Sequence, residues 1–140
     1  MGYEISDGAK VDYILLGRFR PFYFSWFGEH IPRTVGQLLR CLPEPGYVEE
    51  EKRPSGDDAW HARRVRYFYD ELRAGRSLTP ILVDCECRNS RIYPEPVLVD
   101  GHHRFAAYVF AKRRVVPAYY GGRVDVLEYL TGQRRALPKY

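Results

Sequence analysis

The sequence contains no long apolar run, no internal repeat and no low-complexity segment. A membrane-spanning helix needs roughly 18 consecutive apolar residues, so we expect no membrane partner. Repeats or low-complexity tracts would indicate a solenoid, a fibre or a linker. Since the chain has none of these, we predict a single globular domain that covers residues 1–140.

Cysteine is scarce in this chain. There are three cysteines, an odd number, and the opening residues MGYEISDGAK lack the basic and apolar regions of a secretory signal. We therefore expect a cytoplasmic protein with reduced thiols. Only one residue separates Cys85 from Cys87, and the chain has no second cysteine pair. Because zinc knuckles space their ligands by about two to four residues, this spacing predicts no zinc site.

Arginine supplies most of the positive charge. The chain has 18 Arg and 4 Lys, a net charge of +4 and an isoelectric point near 9.0. The guanidinium fork makes bidentate contacts to phosphate, whereas lysine acts as a point charge. A GC-rich genome would produce the same bias, so the arginine content alone does not separate phosphate binding from codon usage.

The first third of the chain predicts two short elements. Residues 11–16 (VDYILL) are β-branched and aliphatic enough for a strand. Residues 34–42 predict a short helix, with Thr34 as its cap and Gln37 three residues further on, as in a capping box. Six aromatic side chains crowd into residues 19–27. Three roles stay open for these side chains: they fill the core, they form a homodimer interface, or they stack on nucleic-acid bases. We favour the core or the interface.

A longer helix is predicted between an aspartate cap at Asp57 or Asp58 and a stop at Gly75. Its apolar stripe consists of Val65, Phe68, Tyr69 and Leu72. Its opposite face carries Arg63, Arg64, Arg66, Asp70 and Arg73. A face of this kind is usually solvated, so the stripe alone is expected to pack into the core.

The second half of the chain alternates strands and helices. Residues 81–83 and 97–99 are continuous apolar runs and predict buried strands. Residues 115–120 predict a third strand, which ends at the following glycine pair. Residues 103–112 predict a helix pressed on the sheet. Residues 124–130 predict a final element, for which a helix is favoured over a strand. Together they predict an α/β (α+β) fold with a small mixed sheet and packed helices.

The junction between strand and helix at residues 97–104 is the most informative place in the sequence. Gly101 permits a turn with positive φ, and the predicted helix starts at about His103. The first N–H groups of a helix lack internal partners and carry partial positive charge. Such a turn can hold a phosphate, and Arg104 adds a guanidinium fork.

The polar residues of this turn have more than one interpretation. His102 and His103 are candidate donors to phosphate, or candidate general acids or bases near neutral pH. Asp100 is a candidate catalytic base, a metal ligand or simply a helix cap. A purely structural interpretation of Gly101 is also open, in which the residue only allows the turn to form. We therefore treat Gly101, His102, His103 and Arg104 as candidate phosphate-binding residues.

Residues 65–120 resemble the ParB/sulfiredoxin superfamily. The resemblance is carried by the order of LTPILVD, then EPVLVDGHHR, then FAAYVFAKRRVVPAYY, in which a strand leads through DGHHR into a helix. Members include partition proteins that bind and hydrolyse CTP, sulfiredoxins that use ATP, a free-serine kinase and ParB-like nucleases. The resemblance implies a small fold of this type and a phosphate-binding turn at residues 101–104.

Departures from the family patterns narrow the implied activity. Sulfiredoxin places a nucleophilic cysteine where this chain has His102, so its chemistry is not expected. Only twenty residues follow Tyr120, too few for the DNA-binding and dimerisation domains of a partition protein. The serine kinase uses an upstream glutamate together with the aspartate of the motif. Glu29 is the nearest match here, which adds Glu29 to Asp100 and His103 as candidate catalytic residues.

Three functional hypotheses remain open. The first is a kinase- or NTPase-type enzyme that holds ATP, ADP or CTP on the turn, with magnesium shared with the phosphates. The second is a DNA-binding or nuclease-like protein, with Arg63, Arg64, Arg66, Arg113 and Arg114 along the backbone and the aromatic segment stacked on bases. The third is a non-enzymatic module that binds a partner protein.

Overall fold

The computed structural model describes residues 4–19, 34–42, 60–85 and 96–138. The chain divides into two compact units. The first comprises Met1–Pro21, Thr79–His102 and Arg113–Tyr140, and the second comprises Phe22–Leu78 and His103–Lys112. The prediction of a single domain remains a prediction.

The first unit contains a mixed four-stranded sheet. Its strands are β1 (Ile5–Leu15), β2 (Ile81–Cys85), β3 (Val97–Asp100) and β4 (Val115–Arg123), in the spatial order β1-β4-β2-β3. β4 is antiparallel to β1 and parallel to β2, while β3 is antiparallel to β2. The predicted mixed sheet is thus confirmed.

Helices complete the two units. A short 3-10 turn (Leu16–Arg18) follows β1, and α4 (Val124–Thr131) follows β4 in the first unit. The second unit contains α1 (Val35–Leu39), α2 (Trp60–Arg73) and α3, which starts at the boundary between the units and spans His102–Phe110. The described residues therefore form a mixed α+β fold. No helix among them is long and apolar enough to cross a membrane.

The prediction of buried strands at residues 81–83 and 97–99 is confirmed for Ile81 and Leu98 but is wrong for alternate positions. Leu82 is 40% exposed, and Val97 and Val99 are 57% and 50% exposed, whereas Leu98 is only 5% exposed. Successive side chains of a strand point to opposite faces, so alternate positions of these apolar runs reach solvent. An apolar run therefore identified the strands but not how many of their faces are covered.

β1 and β4 are both longer than predicted. β4 continues through the glycine pair to Arg123, because β1 begins at Ile5 and pairs with it there. The register shifts between Asp7 and Val11, and Gly8 in that interval has φ +73°. Such an irregularity is typical of a β-bulge, in which glycine supplies the positive φ.

The helices of the second unit follow the predicted apolar pattern. The Thr34 hydroxyl accepts a hydrogen bond from the Gln37 N–H at 3.1 Å, so the predicted cap of α1 is confirmed. The predicted stripe of α2 is buried, and Gly75 follows the helix with φ +80°. The predicted caps at Asp57 and Asp58 lie outside the described residues.

One arginine of the polar face of α2 contradicts the prediction of a solvated face. Arg64 is only 5% exposed, and its guanidinium carbon lies 4.5 Å from the centre of the Trp60 ring. Arg66 is also engaged, since its Nη1 donates to the carbonyl oxygens of Leu39 and Cys41 at 2.7 and 2.9 Å. A planar cation can stack on an indole ring, which the helical periodicity of polar residues does not reveal.

Candidate functional site

Gly101 connects β3 directly to α3. Its φ is +97° and the residue is buried. The predicted turn with positive φ is confirmed, although α3 begins at His102 rather than at His103. A side chain at this position would be strained, because residues other than glycine rarely adopt such φ values. The backbone conformation of this turn therefore depends on glycine.

Asp100 is the last residue of β3 and is exposed. Its Oδ1 accepts a hydrogen bond from the Gly101 N–H at 2.9 Å. Because α3 starts at His102, Gly101 and not Asp100 occupies the position just before the helix. Asp100 thus fixes the turn and leaves its carboxylate at the surface, where a ligand can reach it.

His102 is half-buried at the first position of α3. Burial lowers the pKa of its imidazole below the usual value of 6.5, and the nearby negative charge of Asp100 opposes this only in part. The ring is therefore mostly neutral near pH 7. A neutral imidazole offers one donor and one acceptor, which is compatible with a hydrogen bond to a phosphate or with general base chemistry.

His103 is paired with a residue that the sequence did not single out. Its Nε2 lies 2.8 Å from Nδ1 of His61, which is the second residue of α2. The two histidines are 42 positions apart in the sequence. Neither motif spacing nor helical periodicity relates positions so far apart, so nothing in the sequence pointed to His61.

Trp60 contacts both histidines. The centre of its ring lies 5.0 Å from that of His61 and 5.2 Å from that of His103, with the rings nearly perpendicular in both pairs. Trp60 is 7% exposed. Its Nε1 atom is buried and has no hydrogen-bond partner in the described part of the chain.

Arg104 is 4% exposed, on the first turn of α3. Arg64 is similarly buried on α2, so the second unit buries guanidinium groups on both of these helices. Neither helix has an acidic residue in its first turn. Buried cations and helix N-termini both favour a neighbouring negative charge.

The predicted site residues are distributed over both units and the undescribed part of the chain. Asp100, Gly101 and His102 belong to the first unit, His103 and Arg104 to the second, and the chain is continuous between them.

Glu29 and Cys87 lie outside the described residues, whereas Cys85 is buried at the end of β2, as predicted. Within the described ranges, no three His, Cys, Asp or Glu side chains are grouped as metal ligands.

Comparison of the chain with protein-family models, curated proteins and solved structures finds no match.

Proposed function

We propose that this protein binds the phosphate groups of a nucleotide or of another phosphorylated ligand at the turn formed by residues 101–104. The observation that carries the proposal is the backbone of Gly101, whose φ of +97° leads from β3 straight into α3. A helix N-terminus presents backbone N–H groups and partial positive charge, and both favour a bound anion.

The charges on the first turn of α3 support phosphate over a neutral ligand. No acidic residue occupies the first turn of α3, and Arg104 brings a guanidinium to that turn. Arginine suits phosphate because its donors form a planar fork that can bind two oxygens at once. The half-buried imidazole of His102 adds a further hydrogen-bonding group at the first position of α3.

Asp100 and His103 are the proposed catalytic residues if the bound phosphate is transferred. Asp100 is exposed beside the turn, so its carboxylate can accept the proton of an attacking hydroxyl or water. The described residues offer no cluster of three metal-ligating side chains. Magnesium would be shared with the phosphate oxygens and keep several water ligands, as this ion commonly does.

The resemblance of the DGHHR segment to the ParB/sulfiredoxin superfamily supports the same ligand class. The mixed sheet and the strand-turn-helix order agree with a fold of that kind. His102 occupies the place of the sulfiredoxin nucleophile, and histidine cannot perform thiol chemistry. The proposal is accordingly a nucleotide-binding protein of kinase or NTPase type.

The arrangement of arginines favours a nucleotide over a DNA duplex. A duplex-binding surface needs several exposed cations that follow the backbone. Arg64 is buried against Trp60, and Arg66 donates to Asp70 and to the end of α1. The guanidinium groups of both residues are therefore engaged in contacts within the second unit.

A thermal-shift screen tests the proposal with ATP, ADP, CTP, GTP and a DNA duplex, each with and without magnesium. A ligand present at a hundred times its Kd is expected to stabilise the folded protein by about 2.7 kcal/mol. We expect a nucleotide to raise the melting temperature, and Arg104→Ala to weaken its binding by about ten- to a hundredfold. Arg135→Ala, which removes an exposed arginine, is the matched control.

Two results would contradict the proposal. One is stabilisation by the duplex alone, which would favour the DNA-binding hypothesis. The other is unchanged nucleotide affinity in a folded Arg104→Ala protein, which would leave that arginine with a structural role only. Stabilisation by none of these compounds would favour a protein-interaction module.

A further inference from the structure

Trp60, His61 and His103 form a compact group within the second unit, which we call the Trp–His cluster. The two imidazoles share a hydrogen bond of 2.8 Å, and each ring meets the indole edge to face or nearly so. Two of these residues open α2, and the third lies in the first turn of α3. The cluster therefore extends beyond the DGHHR segment to a second helix.

The indole of Trp60 is the first sign that the cluster binds something. Its Nε1 is buried, and the described residues supply it with no acceptor. A buried N–H without an acceptor destabilises the fold, and such groups are rare in native proteins. Because the indole nitrogen only donates, whatever lies against it must carry an accepting atom.

The surrounding charge favours an anion as that acceptor. Arg64 lies over the Trp60 ring at 4.5 Å and is 5% exposed, and Arg104 directly follows His103 in the chain with 4% exposure. The first turns of α2 and α3 carry no acidic residue. A phosphate oxygen gains from these positive charges, whereas a neutral water gains little.

The histidine pair suits an anion as well. The bond between Nδ1 of His61 and Nε2 of His103 contains one proton, so one ring donates and the other accepts. When the pair takes up one further proton, this bond persists and the outer nitrogen of each ring becomes a donor. The pair then carries a single positive charge shared by two helices.

We propose that the Trp–His cluster is an oxyanion site, in which a phosphate oxygen accepts the Nε1–H of Trp60 and the His61–His103 pair supplies neighbouring donors. The inference rests on the proposed function for the choice of phosphate as the ligand. It extends the binding site from His103 and Arg104 to the start of α2, all within the second unit. Trp60 and His61 are binding residues in this proposal.

The test uses the full chain labelled with ¹⁵N and two probes, inorganic phosphate and ATP with magnesium. The sequence contains two tryptophans, Trp26 and Trp60, so a Trp26→Phe variant leaves one indole resonance, that of Trp60. We expect each probe to move this resonance in a saturable way. We also expect Trp60→Phe and His61→Phe to weaken ATP binding about tenfold. Tyr67→Phe, on the same helix, should leave the affinity unchanged.

The possible outcomes distinguish failure of the inference from failure of the proposed function. If phosphate moves the Trp60 resonance but no nucleotide binds, the oxyanion site stands and the nucleotide function fails. If ATP binds in an Arg104-dependent way while the Trp60 resonance and the Kd of His61→Phe are unchanged, the inference is overturned and the function stands. If neither probe binds, both are overturned. Should Trp60→Phe fail to fold, the Trp60 resonance of the Trp26→Phe variant and the ATP affinity of His61→Phe still decide between these outcomes.

Discussion

Gly122 of β4 faces Cys85 of β2 so closely that no Cβ atom fits between them. The two residues are partners in the parallel register, and a Cβ built on Gly122 would overlap the carbonyl oxygen of Cys85. The φ of Gly122 is +134°, which other residues rarely adopt. Glycine at this position is thus required by both the neighbouring backbone and the local conformation.

We predict that Gly122→Ala strongly destabilises the protein. Backbone strain at such a φ and the overlap with Cys85 should together remove about 2–4 kcal/mol from the free energy of unfolding. Urea denaturation monitored by circular dichroism measures the change. Gly121→Ala is the matched control, because the nearest atom to its Cβ would be Asp84 Oδ1 at 3.8 Å. Equal effects of the two substitutions would contradict this account.

Arg66 should hold α1 against α2. Its Nη1 donates to the carbonyl oxygens of Leu39 and Cys41, while its Nε donates to Asp70. We expect Arg66→Ala to cost about 1.5–3 kcal/mol, since charge-assisted hydrogen bonds are lost and carbonyls at the end of α1 lose their donor. Hydrogen exchange should show faster exchange in α1, with Arg73→Ala, an exposed arginine of the same helix, as the control. Unchanged exchange in α1 would refute this role.

Stability should depend on the protonation of His102. Burial lowers the pKa of His102 in the folded state below 6.5, so the unfolded chain takes up the proton first. The contribution of His102 to the free energy of unfolding is fully present above about pH 6.5. It declines as the pH falls from there to the pKa of the folded state, and it does not change at lower pH. Melting temperatures of wild type and His102→Gln from pH 8 to pH 5 measure it. We expect their difference to change in that window, and a constant difference would be the contrary result.

Gly101 should be needed for both folding and binding. Its φ of +97° is strained for any residue with a Cβ, and we expect Gly101→Ala to cost about 1–2 kcal/mol. The same substitution should weaken nucleotide binding because it disturbs the first N–H groups of α3. Gly17→Ala, whose Cβ would meet nothing within 4 Å, is the control. Melting temperature and ligand titration on both variants check the two effects separately.

Local chemistry alone was sufficient to predict several features. The strand predicted at residues 81–83 is part of Ile81–Cys85, and the helix predicted at residues 103–112 corresponds to His102–Phe110. These elements and the positive φ of Gly101 follow from residues close together in the sequence. The cap at Thr34 is predictable for the same reason, since its partner lies three positions away. Apolar periodicity, glycine and capping residues act within one or two helical turns.

Tertiary structure decided what depends on distant segments. The length of β4 was set by its pairing with β1, and the exposure of Val97 and Val99 by which faces of the sheet are covered. The bond between His61 and His103 joins positions that no local pattern connects. Packing brings such residues together, and one sequence records which residues are apolar or charged but not which of them become neighbours.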